Sequence, residues 1–325
     1  MKKILCIVIL PSFLFSLNVS ARGLGGIGTY LLGKSALVAA RHANNRSYSN
    51  TNNSNFSESH VVRDYYPNGK IKVEQTFQNG EPNGLSRYYY ENGNIKAEGN
   101  FKNSKQDGLW KEYDEDGKLE GKVNWSEGVQ DGPSVYYYSN GQVQEEGNWK
   151  EGQPLGEGKY YYPNGKILAI CSGNTTSANQ NCTAYYETGA ILYKLSNSDG
   201  HFSGHYIGYY PDGTIMIEQN LKNGVPDGVA YSYHENGALH HKVNFKNGIP
   251  DGVWKVYYEN GQLASELSYN NGVPNYDGKM YYPSGELLLD DAKNQFYYEN
   301  GQLFWDTETG RMFNEDGKPI NQGEY

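Results

Sequence analysis

The residues best equipped for chemistry in this chain of 325 amino acids are few: three cysteines, seven histidines and scattered carboxylates. Cys6 lies in an N-terminal apolar run, leaving Cys171 and Cys182 at the ends of CSGNTTSANQNC. That spacing excludes a CxxC redox pair, and neither thiol has a histidine placed to serve as its base. His201 and His205 fall in a turn, whereas His234, His240 and His241 fall on one hairpin. Imidazole is the commonest metal ligand, but no third ligand stands at a readable spacing, so no metal is assigned. There is no Gly-rich phosphate loop between a strand and a helix, and no Gly-x-Ser-x-Gly elbow. Glu58, Glu74 and Glu98 read as solvated strand faces or turn positions. No catalytic residue and no cofactor is assigned, and the chain reads as non-enzymatic.

Composition points away from an ordinary enzyme as well. Glycine (40) and tyrosine (31) are over-used, so tyrosine rather than leucine carries the apolar surface. An aromatic content of 14% argues against disorder, because disordered chains lack rings to bury. A net charge of −9 disfavours nucleic acid and anionic lipid, both of which reward basic patches.

The N-terminus carries Lys2 and Lys3, an apolar run over 4–17, and then Val19-Ser20-Ala21. Charged start, apolar run and small residues before a cleavage point predict a signal peptide over 1–21. The mature chain is then exported: periplasmic, at the cell surface or secreted. Residues 22–59 open with GLGGIGTYLLGKSALVAA over 23–40, a Gly-rich apolar stretch interrupted by Lys34. It is short for a membrane span; local docking is the simpler reading, with membrane association as the alternative. An Asn/Ser-rich linker follows over 44–59.

What must position any site is a repeat over 60–325. The first tyrosine of each Tyr-x-Asn-Gly-like unit is Tyr65, Tyr89, Tyr113, Tyr137, Tyr161, Tyr185, Tyr209, Tyr233, Tyr257 and Tyr281, always 24 residues on. Two steps of 16 follow, to Tyr297 and Phe313. The turn glycines keep the same register: Gly69, Gly93, Gly117, Gly141, Gly165, Gly189, Gly213, Gly237, Gly261 and Gly285. An aliphatic residue stands two positions after each, and a ring recurs six further on, as at Phe77, Trp125 and Phe245.

Within a unit the period is two. In IKVEQTF over 71–77, Ile71, Val73 and Phe77 alternate with Lys72, Glu74 and Thr76. Alternation between glycine turns means strands. Asn-Gly in the Tyr-x-Asn-Gly turn predicts a type I′ hairpin, which needs φ > 0 at both central residues. The second link, Asn-Gly-x-Pro-Asp-Gly, has Pro to fix φ and Gly for the left-handed position. Each unit is thus two strands and two turns. The fold is an all-β, elongated, single-layer antiparallel meander of about ten repeats, on the order of 100 Å long at ~4.8 Å per strand. With no second sheet to cover it, such a layer would be packed by tyrosine and tryptophan rings across strands.

The register also places the candidate residues. Subtracting whole repeats puts Cys171 in the column of Gln75 and Cys182 in that of Ser86, nearly opposite on neighbouring strands. This predicts a disulfide stapling a hairpin whose turn has lost its Asn-Gly chemistry, as suits an exported chain. His234 would face the aliphatic column, with His241 diagonally beside it.

The Tyr-x-Asn-Gly turn, the Glu-Gly-Asn-Phe/Trp-Lys core at 98–102 and 146–150, and the Asn-Gly-x-x-x-Gly turn that follows resemble MORN repeats of the bacterial variant. The resemblance spans about residues 60–318 and implies an extended antiparallel sheet acting as a scaffold or interaction surface. Some members are linked to lipid headgroups, and the bacterial variant often carries an antitoxin label. The expected function is a binding scaffold for a protein or glycan through the Tyr-rich sheet. A toxin-neutralising protein and a membrane-associated one are the alternatives.

Overall fold

The computed structural model describes residues 59–174, 177–197 and 203–320. The expected signal peptide over 1–21, nearly all of 22–59 with Glu58, and His201 lie outside the described residues. Among the described residues there is no helix, and 28 strands pair antiparallel. The chain divides into two compact units. The larger takes the described part of Asn55–Ala264 together with Tyr269–Val273; the smaller takes Ser265–Ser268 and the described part of Pro274–Tyr325.

In the larger unit each 24-residue repeat forms two strands. The first are β1 (His60–Tyr65), β2 (Ile71–Gln78), β3 (Glu81–Tyr89), β4 (Ile95–Lys102), β5 (Lys105–Tyr113) and β6 (Leu119–Ser126), each paired with the next. Alternation gives the sheet one buried side. Ala97, Val123, Leu195, Ile217 and Val243 come from the first strand of their repeats, and Ser86, Trp110, Tyr206, Ala230 and Trp254 from the second. Val123 and Val243 are each only 1% exposed, although the described residues contain no second sheet to pack on them.

Rings laid over small neighbours provide the cover. The Trp110 indole lies so flat on Gly99 that a Cβ there would come within 2.3 Å of it, and Tyr136 covers Gly121 at 2.9 Å. Phe101 meets Trp110 edge-on, with centroids 5.3 Å apart. The Trp110 Nε1–H donates to the Asn100 carbonyl at 3.1 Å, which satisfies the one polar atom the ring buries.

The type I′ geometry expected of the Tyr-x-Asn-Gly turn is found at the other turn instead. At Tyr66-Pro67-Asn68-Gly69 only Gly69 has positive φ (81°), the Gly69 N–H donates to the Tyr66 carbonyl, and the ladder shifts register at Tyr65. This is a type I turn closed by a left-handed glycine bulge, not type I′. Pro67 occupies the position where type I favours proline. The type I′ turn is the other one: Asn79 (φ 55°) and Gly80 (φ 81°) are both left-handed.

The smaller unit keeps this plan in shorter strands, among them Gln295–Tyr297, Leu303–Asp306 and Arg311–Phe313. Phe296 stacks on Trp305 with centroids 5.5 Å apart. Its repeats are the two 16-residue steps seen in the sequence.

Candidate functional site

The tyrosine pair performs two separate structural tasks. The first tyrosine aims its hydroxyl at a carboxylate 15 residues back: Tyr89 to Glu74 at 3.1 Å, Tyr113 to Glu98 at 3.1 Å and Tyr161 to Glu146 at 2.7 Å. Burial, with the Glu146 hydrogen bond and charge behind it, pushes Tyr161 up to about 12. The glutamates are therefore not bare solvated groups. The Arg63 guanidinium holds Glu74 below the usual carboxylate range, assisted by the Tyr89 hydroxyl. Glu98, though burial opposes it, is held low by the Tyr113 and Arg87 hydrogen bonds. At two positions where lysine replaces glutamate it lies over the same ring: Lys122 on Tyr137 at 5.7 Å and Lys194 on Tyr209 at 5.8 Å.

The second tyrosine ties one repeat to the next. Tyr66, Tyr90, Tyr138, Tyr162, Tyr186 and Tyr210 each donate to the carbonyl 23 residues on, at 2.7–2.9 Å. In the smaller unit Tyr282 and Tyr298 do the same at a separation of 15, matching the shorter repeat. The turn asparagine works in both directions: Asn92 Oδ1 accepts the Asn94 N–H, and its Nδ2 donates to the Glu115 carbonyl of the next turn. At the opposite edge, Gly128 N–H donates to the Gln106 carbonyl, and Gly248 N–H to that of Pro226. Successive repeats are thus joined at both edges beyond their strand pairing. The recurring motif is architecture.

Cys171 and Cys182 stand opposite each other in the ladder, with Cα atoms 4.1 Å apart and sulfurs bonded. Replacing both by serine is expected to cost about 2–3 kcal/mol for a loop of this size. A melting temperature for the double variant equal to that of the oxidised wild type would show that the link carries no stability.

His205 contacts the Glu218 carboxylate at 3.1 Å through Nε2 and the Asn220 amide oxygen at 3.2 Å through Nδ1. His234 occupies the position of a second tyrosine and keeps its bond, with Nε2 at 2.9 Å from the Tyr257 carbonyl. His240, rather than His241, lies directly on His234, with centroids 4.0 Å apart; His241 follows at 3.8 Å from His240. Among the described residues no group of three or more His, Cys, Asp or Glu is arranged to hold a metal ion.

One surface feature escapes the sequence reading. In the larger unit, aliphatic side chains stand exposed beside the type I′ turns in two adjacent columns, each with the 24-residue period. Val225, Ile249 and Val273 form one; Val229 and Val253 form the other. Exposure runs from 38% at Val229 to 62% at Val273, so this is no partly covered core. The column is close-packed along its length: Val225 comes within 3.2 Å of a Cβ placed on Gly248, and Ile249 within 2.7 Å of one on Gly272. Val61, Leu85 and Leu109 repeat the second column near β1, before Pro133, Glu157, Asn181 and His205 interrupt it. The signal was present in the sequence as Val225, Ile249 and Val273 directly after Asn-Gly, with Val229 and Val253 four residues further on.

Sequence comparison matches the family described as MORN repeat variant at residues 61–79, 82–103, 106–127, 130–151, 203–223, 226–247 and 250–271. The pattern described as MORN repeat matches at 146–167, and together they cover just over half of the chain. The region between 167 and 203, which holds the disulfide hairpin, is not matched. No curated protein matches the chain. Solved structures similar to parts of it include the crystal structure of TcdB2-TccC3-Cdc42, at 10% identity over 81% of this chain and a TM-score of 0.18. Another is the Photorhabdus luminescens Tc holotoxin pore with the TccC3-D651A mutation, at 10% identity over 82% and a TM-score of 0.17. The chain spans 18% and 17% of the length of those chains.

Proposed function

Since the chain belongs to the MORN-repeat family, we propose that it is an exported, non-enzymatic scaffold that binds a protein partner through the aliphatic columns around Val229, Ile249 and Val253. The observation that carries this reading is the periodic exposure of five aliphatic side chains on one stretch of the larger unit. Single exposed apolar residues are ordinary, whereas contiguous rows mark interaction surfaces. A protein suits this surface better than a glycan. Sugar stacking needs open aromatic faces, but here the tyrosine hydroxyls and several ring faces are engaged by glutamates, carbonyls and lysines. The Cys171–Cys182 disulfide supports an oxidising compartment, in keeping with the leader read at residues 1–21.

Full-length protein carrying Val229→Lys and Val253→Lys tests the proposal. Both positions are exposed, so the fold should change by no more than about 0.5 kcal/mol. In parallel pull-downs from envelope and extracellular fractions, wild type is expected to retain a specific partner that the variant loses by tenfold or more. A partner held equally by an unaltered and a lysine-bearing surface would overturn this assignment.

A further inference from the structure

The histidine hairpin departs from every other repeat in one respect: three imidazoles stand together at positions that hold Tyr66, Lys72 and Val73 in the first repeat. His234 stands where Tyr210 stands one repeat earlier, and His240 where Lys72 and Lys96 lie over Tyr66 and Tyr90. His241 stands in the column of Val73, Ala97 and Ile217, the last two of them buried. We infer that this hairpin is an acid-sensitive joint of the array, closed while the three rings are neutral and loosened when protons are added to them.

The geometry leaves little room for charge. The rings contact one another in series at 4.0 and 3.8 Å. His241 sits in the ladder between Ser232 and Val256, with its Nδ1 at 3.0 Å from the Ser232 hydroxyl. The Trp254 ring stands edge-on to it at 6.0 Å. The carbonyl of Tyr257 can only accept, so the His234 Nε2 must carry hydrogen, and this bond survives protonation at Nδ1. A cation on His234 would then face His240 and, behind it, His241. Both strands flanking His241 offer it neutral groups. Lys242 and Lys255 are paired alternate neighbours in the ladder, and Lys242 leans over Tyr231 at 5.8 Å. The compensating acid is Glu259 in the next turn, which acts on His240; Glu235 lies in the hairpin's own turn.

Desolvation accordingly lowers His240, with His234 adding to it, and lowers His241 to about 4. The sign follows from the folded value lying below the unfolded one. Stability is complete above the ordinary histidine range, near 6.5, and is lost progressively as pH falls toward about 4. A neutral setting keeps the joint closed; an acidified one opens it locally, because stability in repeat arrays is a matter of neighbouring interfaces.

Amide hydrogen exchange on the full chain at about pH 8 and pH 5, the range over which histidine changes charge, reads the effect by region once rates are corrected for intrinsic exchange. The strands Leu239–Lys246 and Gly252–Tyr257 are expected to lose on the order of tenfold in protection at the lower pH. Histidine-free Ile95–Lys102 and Lys105–Tyr113 should keep theirs. In the variant His234→Tyr, His240→Lys, His241→Val, which places there the residues of the first repeat, Tyr66, Lys72 and Val73, the regional loss should vanish. Equal change in both regions of the wild type overturns the inference even if that variant does not fold. So does a loss that persists in a folded variant.

Discussion

Trp110→Ala is expected to destabilise the larger unit by about 3–5 kcal/mol, the range for deleting a large buried aromatic ring. The residue is 4% exposed and has neighbours on three sides: Phe101 edge-on at 5.3 Å, Tyr88 at 6.1 Å and the backbone of Gly99 beneath. A single-layer sheet cannot close the gap by letting an opposing layer sink in, and Gly99 has no side chain to fill it. The converse substitution tests the same contact. Gly99→Ala would place a methyl 2.3–2.5 Å from three indole atoms, which forces the ring to lift. Overpacking of this kind costs roughly 1–3 kcal/mol. Combining the two should be clearly less damaging than their sum, because the methyl enters space the indole has left. Urea unfolding of the two single variants and the double decides it. Additive losses would mean that the ring and the glycine do not share one contact, and that the sheet is covered by some other means.

The repeat, its strands and its buried alternation could be read from residues such as Val73, Val123 and Val243, because a period of two between glycine turns leaves one arrangement open. The turn types could not be read from Asn-Gly alone. The same dipeptide serves a two-residue loop at Asn79-Gly80 and a longer one at Asn68-Gly69. Which it becomes depends on where the flanking strands stop, and a strand's last paired residue is fixed by its partner. Tyr65 pairs with Ile71, so five residues remain to turn the chain, and a type I turn with a glycine bulge is the loop that fits.

Glu74 and Glu98 were unreadable for a related reason. Each carboxylate meets a tyrosine 15 residues away across the ladder, a spacing with no meaning until the register is known. The exposed columns at Val229 and Ile249 lay hidden behind the search for a core, since alternation draws attention to the inward half of each strand. The disulfide was the easier inference, because Gln75 and Ser86 already marked the facing positions that Cys171 and Cys182 occupy.

The tyrosine pair should separate into its two tasks when Tyr161 and Tyr162 are changed one at a time. Tyr161→Ala is expected to cost ~3 kcal/mol, by the same large-aromatic scale. Tyr161→Phe should cost about 1.5–3 kcal/mol, since the hydroxyl bonds a charged acceptor, Glu146, at 2.7 Å. Tyr162→Phe removes a neutral bond to the Tyr185 carbonyl at 2.9 Å, about 0.5–1.5 kcal/mol. Its larger effect falls on coupling, because that bond reaches a strand, Ser177–Tyr185, with which the strand before Tyr162 does not pair. Tyr162→Ala should therefore broaden thermal unfolding, with the parts of the array on either side of the lost staple melting less cooperatively. The chain supplies its own control: at position 234 histidine fills this column and keeps the carbonyl bond. Tyr162→His should accordingly lie closer to wild type than Tyr162→Ala does. If histidine and alanine at 162 proved equally damaging, the hydrogen bond would not be what joins the repeats. The stacking of turn on turn, through asparagines such as Asn140 and Asn164, would then be left as the joining contact.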